Sequence, residues 1–299
     1  MNYYDQIKQQ FIDNENYKKV KDYSKNAKDL ETYYNVGKLL IEAQGGEERA
    51  KYGNRLIKEY SIKLTNELGK GYSVTNLKRM RQFYLLYQKG APLEHQLTWS
   101  HYKLLLPLKD NNKRNYYLNE SINNNLSKRD LSDKIKSNEY ERLPIKTKEK
   151  LINKEENNIE DFIKNPIIIP NTFNYEIITE KKLQYLILEN IDYFLKELGN
   201  GFTYVRNEYK IKIEDRNFYI DLLLYNIYFN CYVVVELKVT EFKKEYISQL
   251  KLYMNYIDKN IKTINQNNTI GIIICKKENK FVLEYVSDPN IFVSKYITM

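Results

Sequence analysis

Apolar residues recur with two different periods along this chain, and the period changes near its middle. Over 28–43, Leu30, Tyr33, Tyr34, Gly37, Leu40 and Ile41 fall on one stripe of helical spacing. Residues 49–68 continue it through Leu56, Ile57, Tyr60, Leu64 and Leu68. Gly69 and Gly71 then interrupt the chain, and Ser73 stands where it can cap a helix beginning at Val74. Leu77, Met80, Phe83, Tyr84 and Tyr87 make that helix's apolar side, with Lys78, Arg79, Arg81 and Lys89 off it. A further helical stretch over 98–137 turns Trp99, Tyr102, Leu105 and Leu106 inward, and Ser127 caps SKRDLSDKIKS.

From 144 to 172 the periodicity fades. Pro144, Pro166 and Pro170 bracket a mixed charge run that reads as a linker, with IIIP at 167–170 able to dock on the next domain. Residues 176–198 read as one helix burying Ile177, Leu183, Leu186, Ile187, Ile191, Phe194 and Leu195, stopped by Gly199 and Gly201. Strand-like runs follow at 202–213, 217–226 and 230–240, helical spacing at 243–259, then IGIIIC at 270–275 and a β-rich tail. The expected fold is therefore multidomain. A mostly α, helix-turn-helix-like domain at 1–143 precedes a linker or docking segment at 144–172. An α/β domain at 173–299 comes last, in helix, three strands, helix, strand order with a mixed sheet.

Charge sharpens this division. Residues 1–150 carry 29 basic against 19 acidic side chains, and 151–299 carry 19 against 20, so the formal charge of +9 belongs to the first half. Within 49–89 the ratio is 10 to 2, which is the electrostatic footprint of a phosphate-binding surface. A solvated helix face accounts for such a run equally well. The residues best placed to contact nucleic acid are Lys70, Ser73, Thr75, Asn76, Lys78, Arg79 and Arg81, around the turn and along the helix in the recognition position. No apolar stretch approaches the ~20 residues of a membrane helix, and MNYYDQIKQQ reads neither as a signal nor as a transit segment. Two isolated cysteines, Cys231 and Cys275, and two histidines, His95 and His101, make neither a disulfide framework nor a zinc site. A reducing cytoplasm fits that composition.

The chemistry concentrates in the second half. Asp221 interrupts FYIDLLLY, and Glu236 and Lys238 interrupt YVVVELKV, where charge is costly to bury unless paired or bound to metal. Strand alternation puts Glu236 and Lys238 on one face and Val235 and Leu237 on the other. A turn near 226–230 would fold the two strands into a hairpin that brings Asp221 beside Glu236. Two carboxylates and an ammonium suit metal-assisted phosphodiester hydrolysis. Asp221 and Glu236 would hold Mg²⁺ (or Mn²⁺) through hard oxygen ligands, and Lys238 would offset charge on the phosphate. The bland alternative is a buried Glu–Lys ion pair closed by Asp221.

Asp221…Glu236-Leu-Lys238 resembles the PD-(D/E)XK nuclease signature, and Gln249 with Tyr253 resembles the QxxxY element of RecB-like nucleases. Further stretches match in order. They include VGKLLIEAQ at 36–44, LGKGYSVTNLKRMRQFY at 68–84, WSHYKLLLPL at 99–108, SKRDLSDKIKSNEYERL at 127–143, FLKELGNGF at 194–202 and the block 217–256. With these the chain is similar to the YhcG-type PDDEXK nuclease-domain family, whose N-terminal domain has no assigned function. The resemblance implies an αβββαβ nuclease core, a divalent metal and a nucleic-acid substrate. It carries Asp221, Glu236 and Lys238 over as catalytic, followed by Gln249 and Tyr253. It also implies a glutamate on the first helix of the nuclease domain, 15 residues before its terminal glycine. That position is Gln184 here, with Glu180 one turn earlier as the possible substitute.

The resulting expectation is an Mg²⁺-dependent DNA endonuclease with a basic N-terminal DNA-binding region, a homodimer being possible and a membrane not involved. Its rivals are a DNA-binding or scaffold subunit that keeps the fold without catalysis, and a nuclease acting on RNA. His101 within WSHYKLLL reads as structural rather than catalytic.

Overall fold

The computed structural model describes residues 2–20, 25–46, 54–88, 97–153, 155, 161, 163–278 and 288–299, which form two compact units, Met1–Tyr140 and Glu141–Met299. His95, Lys89 and positions 49–53 of the expected second helix lie outside the described residues. Among the described residues no helix is long and apolar enough to cross a membrane.

The first unit is helical. Its elements are α1 (Tyr3–Val20), α2 (Lys25–Ala43), α3 (Asn54–Leu68), α4 (Val74–Tyr87), α5 (Trp99–Leu105), α6 (Asn111–Asn123) and α7 (Lys128–Lys136). Ser73 caps α4 by accepting the Asn76 N–H, and Ser127 forms a capping box with Asp130 on α7, each satisfying amides that a helix start leaves free. The apolar stripes meet in one core of Ile7, Val36, Leu40, Ile57, Leu64, Leu77 and Met80. Gly37 shows why α2 and α4 pack so closely: a Cβ there would collide with the Met80 carbonyl oxygen. His101 completes a capping box at Thr98, and its Nε2 lies 3.0 Å from the Leu126 carbonyl. It is a buried structural histidine.

The second unit begins with α8 (Glu139–Arg142) straddling the boundary, then α9 (Ile145–Asn153), β1 (Ile167–Ile169), α10 (Glu180–Glu189), α11 (Ile191–Leu198), β2 (Phe202–Ile213), β3 (Arg216–Asn226), β4 (Cys231–Glu241), α12 (Lys244–Asn260), β5 (Ile270–Lys277) and β6 (Ile291–Thr298). The six strands run in the order β1-β6-β5-β4-β3-β2. β2, β3 and β4 are an antiparallel meander, whereas β4–β5, β5–β6 and β6–β1 are parallel. The sheet is mixed, as its connections require: short turns join the antiparallel strands and α12 provides the β4–β5 crossover.

Each face of the sheet carries its own apolar layer. Val233, Val235, Leu237, Leu222 and Leu224 pack with Leu183, Leu186 and Phe194 of α10 and α11. Val234, Leu223, Ile220 and Ile273 pack with Leu250, Tyr253, Met254 and Ile257 of α12. The segment expected as a linker holds α9 and the edge strand β1. Glu197 ties that edge down: its carboxylate pairs with Arg142, lies 3.8 Å from the Lys164 ammonium and accepts the Ile168 N–H at 3.0 Å.

The single helix expected over 176–198 is two. Thr179 caps α10 by accepting the Lys182 N–H, so the helix starts at Glu180 and leaves Ile177 73% exposed, not buried. Asn190, with φ −120° and ψ 41°, breaks the run before α11. Its amide bonds the Leu186 carbonyl, and such side-chain competition with backbone partners makes Asn a poor helix-interior residue.

Candidate active site

The site forms where β3 and β4 separate. Their ladder ends at Leu222–Val235, so Asp221 and Glu236 occupy the next position on each strand. β4 continues along β5 through Lys238–Cys275 and, past a register shift, Glu241–Lys277, so its β3-side amides need another partner there. Asp221 supplies it, its Oδ2 accepting the Leu237 N–H at 2.7 Å. The β3 strand also turns over at this point. Phe218 and Ile220 pack on the α12 layer, while Leu222 and Leu224 pack on the α10–α11 layer, although all four would share one face of a regular strand.

Glu236 is 2% exposed. Its Oε1 accepts the Lys238 ammonium at 2.7 Å, and its Oε2 is buried with no hydrogen-bond partner. Lys238 also lies over the Tyr246 ring of α12, 5.2 Å from the centroid. From the same helix Gln249 donates to the Tyr253 hydroxyl at 2.9 Å. From the opposite layer Gln184 of α10 donates its amide to the Asp221 carbonyl at 3.0 Å.

The electrostatics are those of carboxylates crowded into a dry site. Burial first, and then the charges of Glu180 and Glu208, push the Asp221 carboxyl up to about 6, against the Leu237 N–H and Lys238. Burial and then the Asp221 charge push Glu236 up to about 7, against Lys238. Burial alone would lower the Lys238 pKa. Its hydrogen bond and charge interaction with Glu236, joined by Glu180 and Asp221, outweigh burial and hold it above the ordinary lysine range, so it stays cationic. Burial and the charges of Glu236 and Asp221 keep the Tyr253 hydroxyl protonated above its usual range, despite the Gln249 bond.

The structure thus brings Asp221, Glu236, Lys238 and, from α12, Tyr253 into one electrostatic neighbourhood, with Gln249 on Tyr253 and Gln184 on the Asp221 backbone. Glu180 acts on the group through its charge from an exposed position at the start of α10. Glu208, which strand alternation did not single out, stands between the pairs Asn207–Leu222 and Tyr209–Ile220, opposite Asp221. Its φ of 47° is unusual for a glutamate in a strand, and its only sequence signal was one more charge in an exposed run. Among the described residues, no three His, Cys, Asp or Glu side chains converge tightly enough to hold a metal between them.

In the first unit, Lys70, Ser73 and Thr75 are exposed, and Asn76, Lys78 and Arg79 are partly so. Ser73 and Asn76 are engaged in the turn, the latter donating to the Gly71 carbonyl at 2.9 Å. Arg81, on the same helix, is engaged within the unit. Its half-buried guanidinium donates to Gln44 at 3.1 Å.

Residues 160–299 match the family model of the YhcG PDDEXK nuclease domain, and residues 8–142 that of the DUF1016 N-terminal domain. The "Putative nuclease YhcG" of Escherichia coli (strain K12) is 27% identical over 294 residues, spanning 85% of this chain and 78% of that protein. Among solved structures, a repair endonuclease from Pyrococcus abyssi is 20% identical, with a TM-score of 0.30 over 41% of this chain and 48% of that one. The EndoMS-dsDNA2 complex is 19% identical, with a TM-score of 0.31 over 41% and 47%. The matched part is about half the length of each of these two structures.

Proposed function

The chain belongs to the YhcG-type family of PDDEXK nuclease-domain proteins, and from that premise we propose that it is a divalent-metal-dependent endonuclease acting on DNA. The observation that carries this reading is the orphaned Glu236 Oε2, buried one strand away from Asp221. A purely structural Glu–Lys pair would leave no buried carboxylate oxygen unpartnered, because such an oxygen costs the full desolvation of a charged acceptor. A cation held by Asp221 and Glu236 satisfies that oxygen and offsets the burial, and then the neighbouring carboxylate charge, that raise both pKa values. The donor set, two hard carboxylate oxygens, suits Mg²⁺ or Mn²⁺.

When bound, the metal supplies Lewis-acid polarisation of the phosphate and a nucleophilic water at neutral pH. The chain's own groups do the rest. Lys238, pinned by Glu236 and kept cationic, places a positive charge where negative charge grows on the phosphate. Gln184 fixes the Asp221 backbone, and the Leu237 N–H fixes its carboxylate. Gln249 orients the Tyr253 hydroxyl, a protonated donor within the field of both carboxylates. The basic excess of residues 1–150, with Lys78 and Arg79 partly exposed on α4, supports a nucleic acid as the polymer held.

The deciding experiment incubates wild-type and Lys238→Ala protein with duplex, nicked, branched and single-stranded DNA, and with RNA, in Mg²⁺ or Mn²⁺. Metal-dependent internal cleavage of DNA, lost in the variant, is the expected result. Cleavage of RNA alone reassigns the substrate. No cleavage of any polymer by folded wild type overturns the catalytic reading in favour of a binding subunit.

A further inference from the structure

The β2–β3 hairpin has two unlike sides. Register pairs Tyr209 with Ile220 and Ile211 with Phe218, and these residues turn toward the α12 layer. The alternate pairs, Lys210 opposite Tyr219 and Lys212 opposite Asn217, therefore lie on the outer side, and all four are exposed. Tyr219 is 48% exposed, and among the described residues neither lysine has an ion-pair partner. β2 is the sheet's edge strand, so no further strand flanks this side of the hairpin.

This outer face lies on the side of the hairpin away from α12 and ends where β3 turns over at Asp221. Tyr219 precedes Asp221 by two residues, about 7 Å along a strand. The site itself is short of positive charge: Asp221, Glu236, Glu180 and Glu208 gather there, and Lys238 is already committed to Glu236. A phosphate backbone near four carboxylates needs cations beside them, and Lys210 and Lys212 are exposed on the face that ends at Asp221. An exposed aromatic ring beside cations on a strand face is a stacking platform for a base whose π-face is free, which a duplex does not offer. The acidic turn Glu214–Asp215 closes the far end.

We propose that the outer face of the β2–β3 hairpin binds a single, unpaired nucleic-acid strand, with Tyr219 stacking on a base and Lys210 and Lys212 holding adjacent phosphates. Its delivery of the strand to Asp221 rests on the nuclease reading above, whereas the binding does not. The enzyme's preferred substrate then contains a single-stranded segment beside the cut.

The test uses the full chain in EDTA, with a fluorescent oligo-dT strand and a blunt mixed-sequence duplex as probes. Tyr219→Leu weakens the single strand about tenfold, the scale of one lost base stack, and leaves the duplex unchanged; Tyr219→Phe restores binding. Lys210→Ala with Lys212→Ala lowers the salt slope for the single strand by about 1.4, at about 0.7 per phosphate contact. Irradiating bound 5-bromodeoxyuridine oligomer crosslinks it to the peptide containing Tyr219, a readout independent of binding by the first unit. Unchanged single-strand affinity and salt slope with no crosslink overturn the proposal, as do equal losses for strand and duplex. Wild type that binds and crosslinks but never cleaves overturns the nuclease reading and leaves this one standing.

Discussion

Asp221 takes the Leu237 N–H at 2.7 Å in the gap where β3 and β4 stop pairing, so one carboxylate both closes the backbone ladder and points into the site. These two roles separate by mutation. Asp221→Ala orphans a backbone amide, which costs about 1–3 kcal/mol, and also removes a charge. Asp221→Asn keeps an acceptor and loses only the charge. Both variants are expected to lower cleavage by ~10²-fold or more, as are Glu236→Ala and Lys238→Ala. Only Asp221→Ala should also shift the urea midpoint downward. Equal midpoints for the two variants would remove the structural role.

The two raised carboxyl groups give the metal-free protein a pH signature. Both hold protons more tightly folded than unfolded, so their contribution is fully present below their ordinary values near 4. It is lost as pH rises through about 6 and about 7. Metal-free wild type should therefore lose stability relative to Glu236→Gln between pH 4.5 and 7.5. Added Mg²⁺ should recover that stability at pH 7.5 in wild type and much less in Glu236→Gln, since binding to the native state alone raises its stability. Thermal melts at the two pH values, with and without metal, check both statements.

Much of this was legible in the sequence because period-2 alternation is rigid. Once YVVVELKV is a strand, Glu236 and Lys238 must share a face, and a short turn at 226–230 must bring Asp221 opposite. The parts that escaped depend on long-range geometry. Nothing local showed that β3 turns over at Asp221, that Glu208 would take a left-handed backbone across from it, or that Glu197 would collect Arg142 and Lys164. The start of α10 was written in Thr179 and the α10–α11 break in Asn190, but a continuous apolar stripe concealed both. Charge off an apolar stripe also does not reveal that a neighbouring helix, here α2 through Gln44, holds the Arg81 guanidinium.

That contact divides the basic residues of α4. Lys78→Ala with Arg79→Ala should weaken DNA binding, more at low salt than at high, while leaving the melting temperature within about 1 °C, as surface substitutions do. Arg81→Ala should instead lower the melting temperature by removing the partly buried bond to Gln44. A phosphate-binding role for Arg81 would show the opposite pattern, with affinity lost and melting unchanged.

Cys231 and Cys275 are buried, and burial foremost pushes each thiol up to about 11. Little thiolate exists at pH 8, and the thiolate is the reactive form. A thiol-reactive chromophore should therefore label neither residue in native protein and both in urea. Rapid labelling of either without denaturant would contradict the packing around it.

Glu180 poses the sharpest question about the site, because a glutamate is the family's expectation one turn later, where Gln184 stands. In this structure Gln184 donates its amide to the Asp221 carbonyl, a bond a carboxylate cannot make. Gln184→Glu should therefore set charge against that carbonyl oxygen and lower activity rather than improve it. Glu180 is exposed yet raises the Asp221 and Glu236 pKa values, which is the behaviour of a charge acting through space. Such an effect is screened by salt, with a Debye length of ~10 Å at 0.1 M and ~3 Å at 1 M. Glu180→Gln is accordingly expected to weaken Mg²⁺ binding about threefold at low ionic strength, on the order of an exposed charge interaction, and hardly at all in 1 M KCl. A direct ligand would behave differently, losing affinity by a large factor that survives high salt. Calorimetric Mg²⁺ titrations of wild type and Glu180→Gln at the two ionic strengths separate these outcomes, and a salt-independent loss would make Glu180 the third acidic ligand.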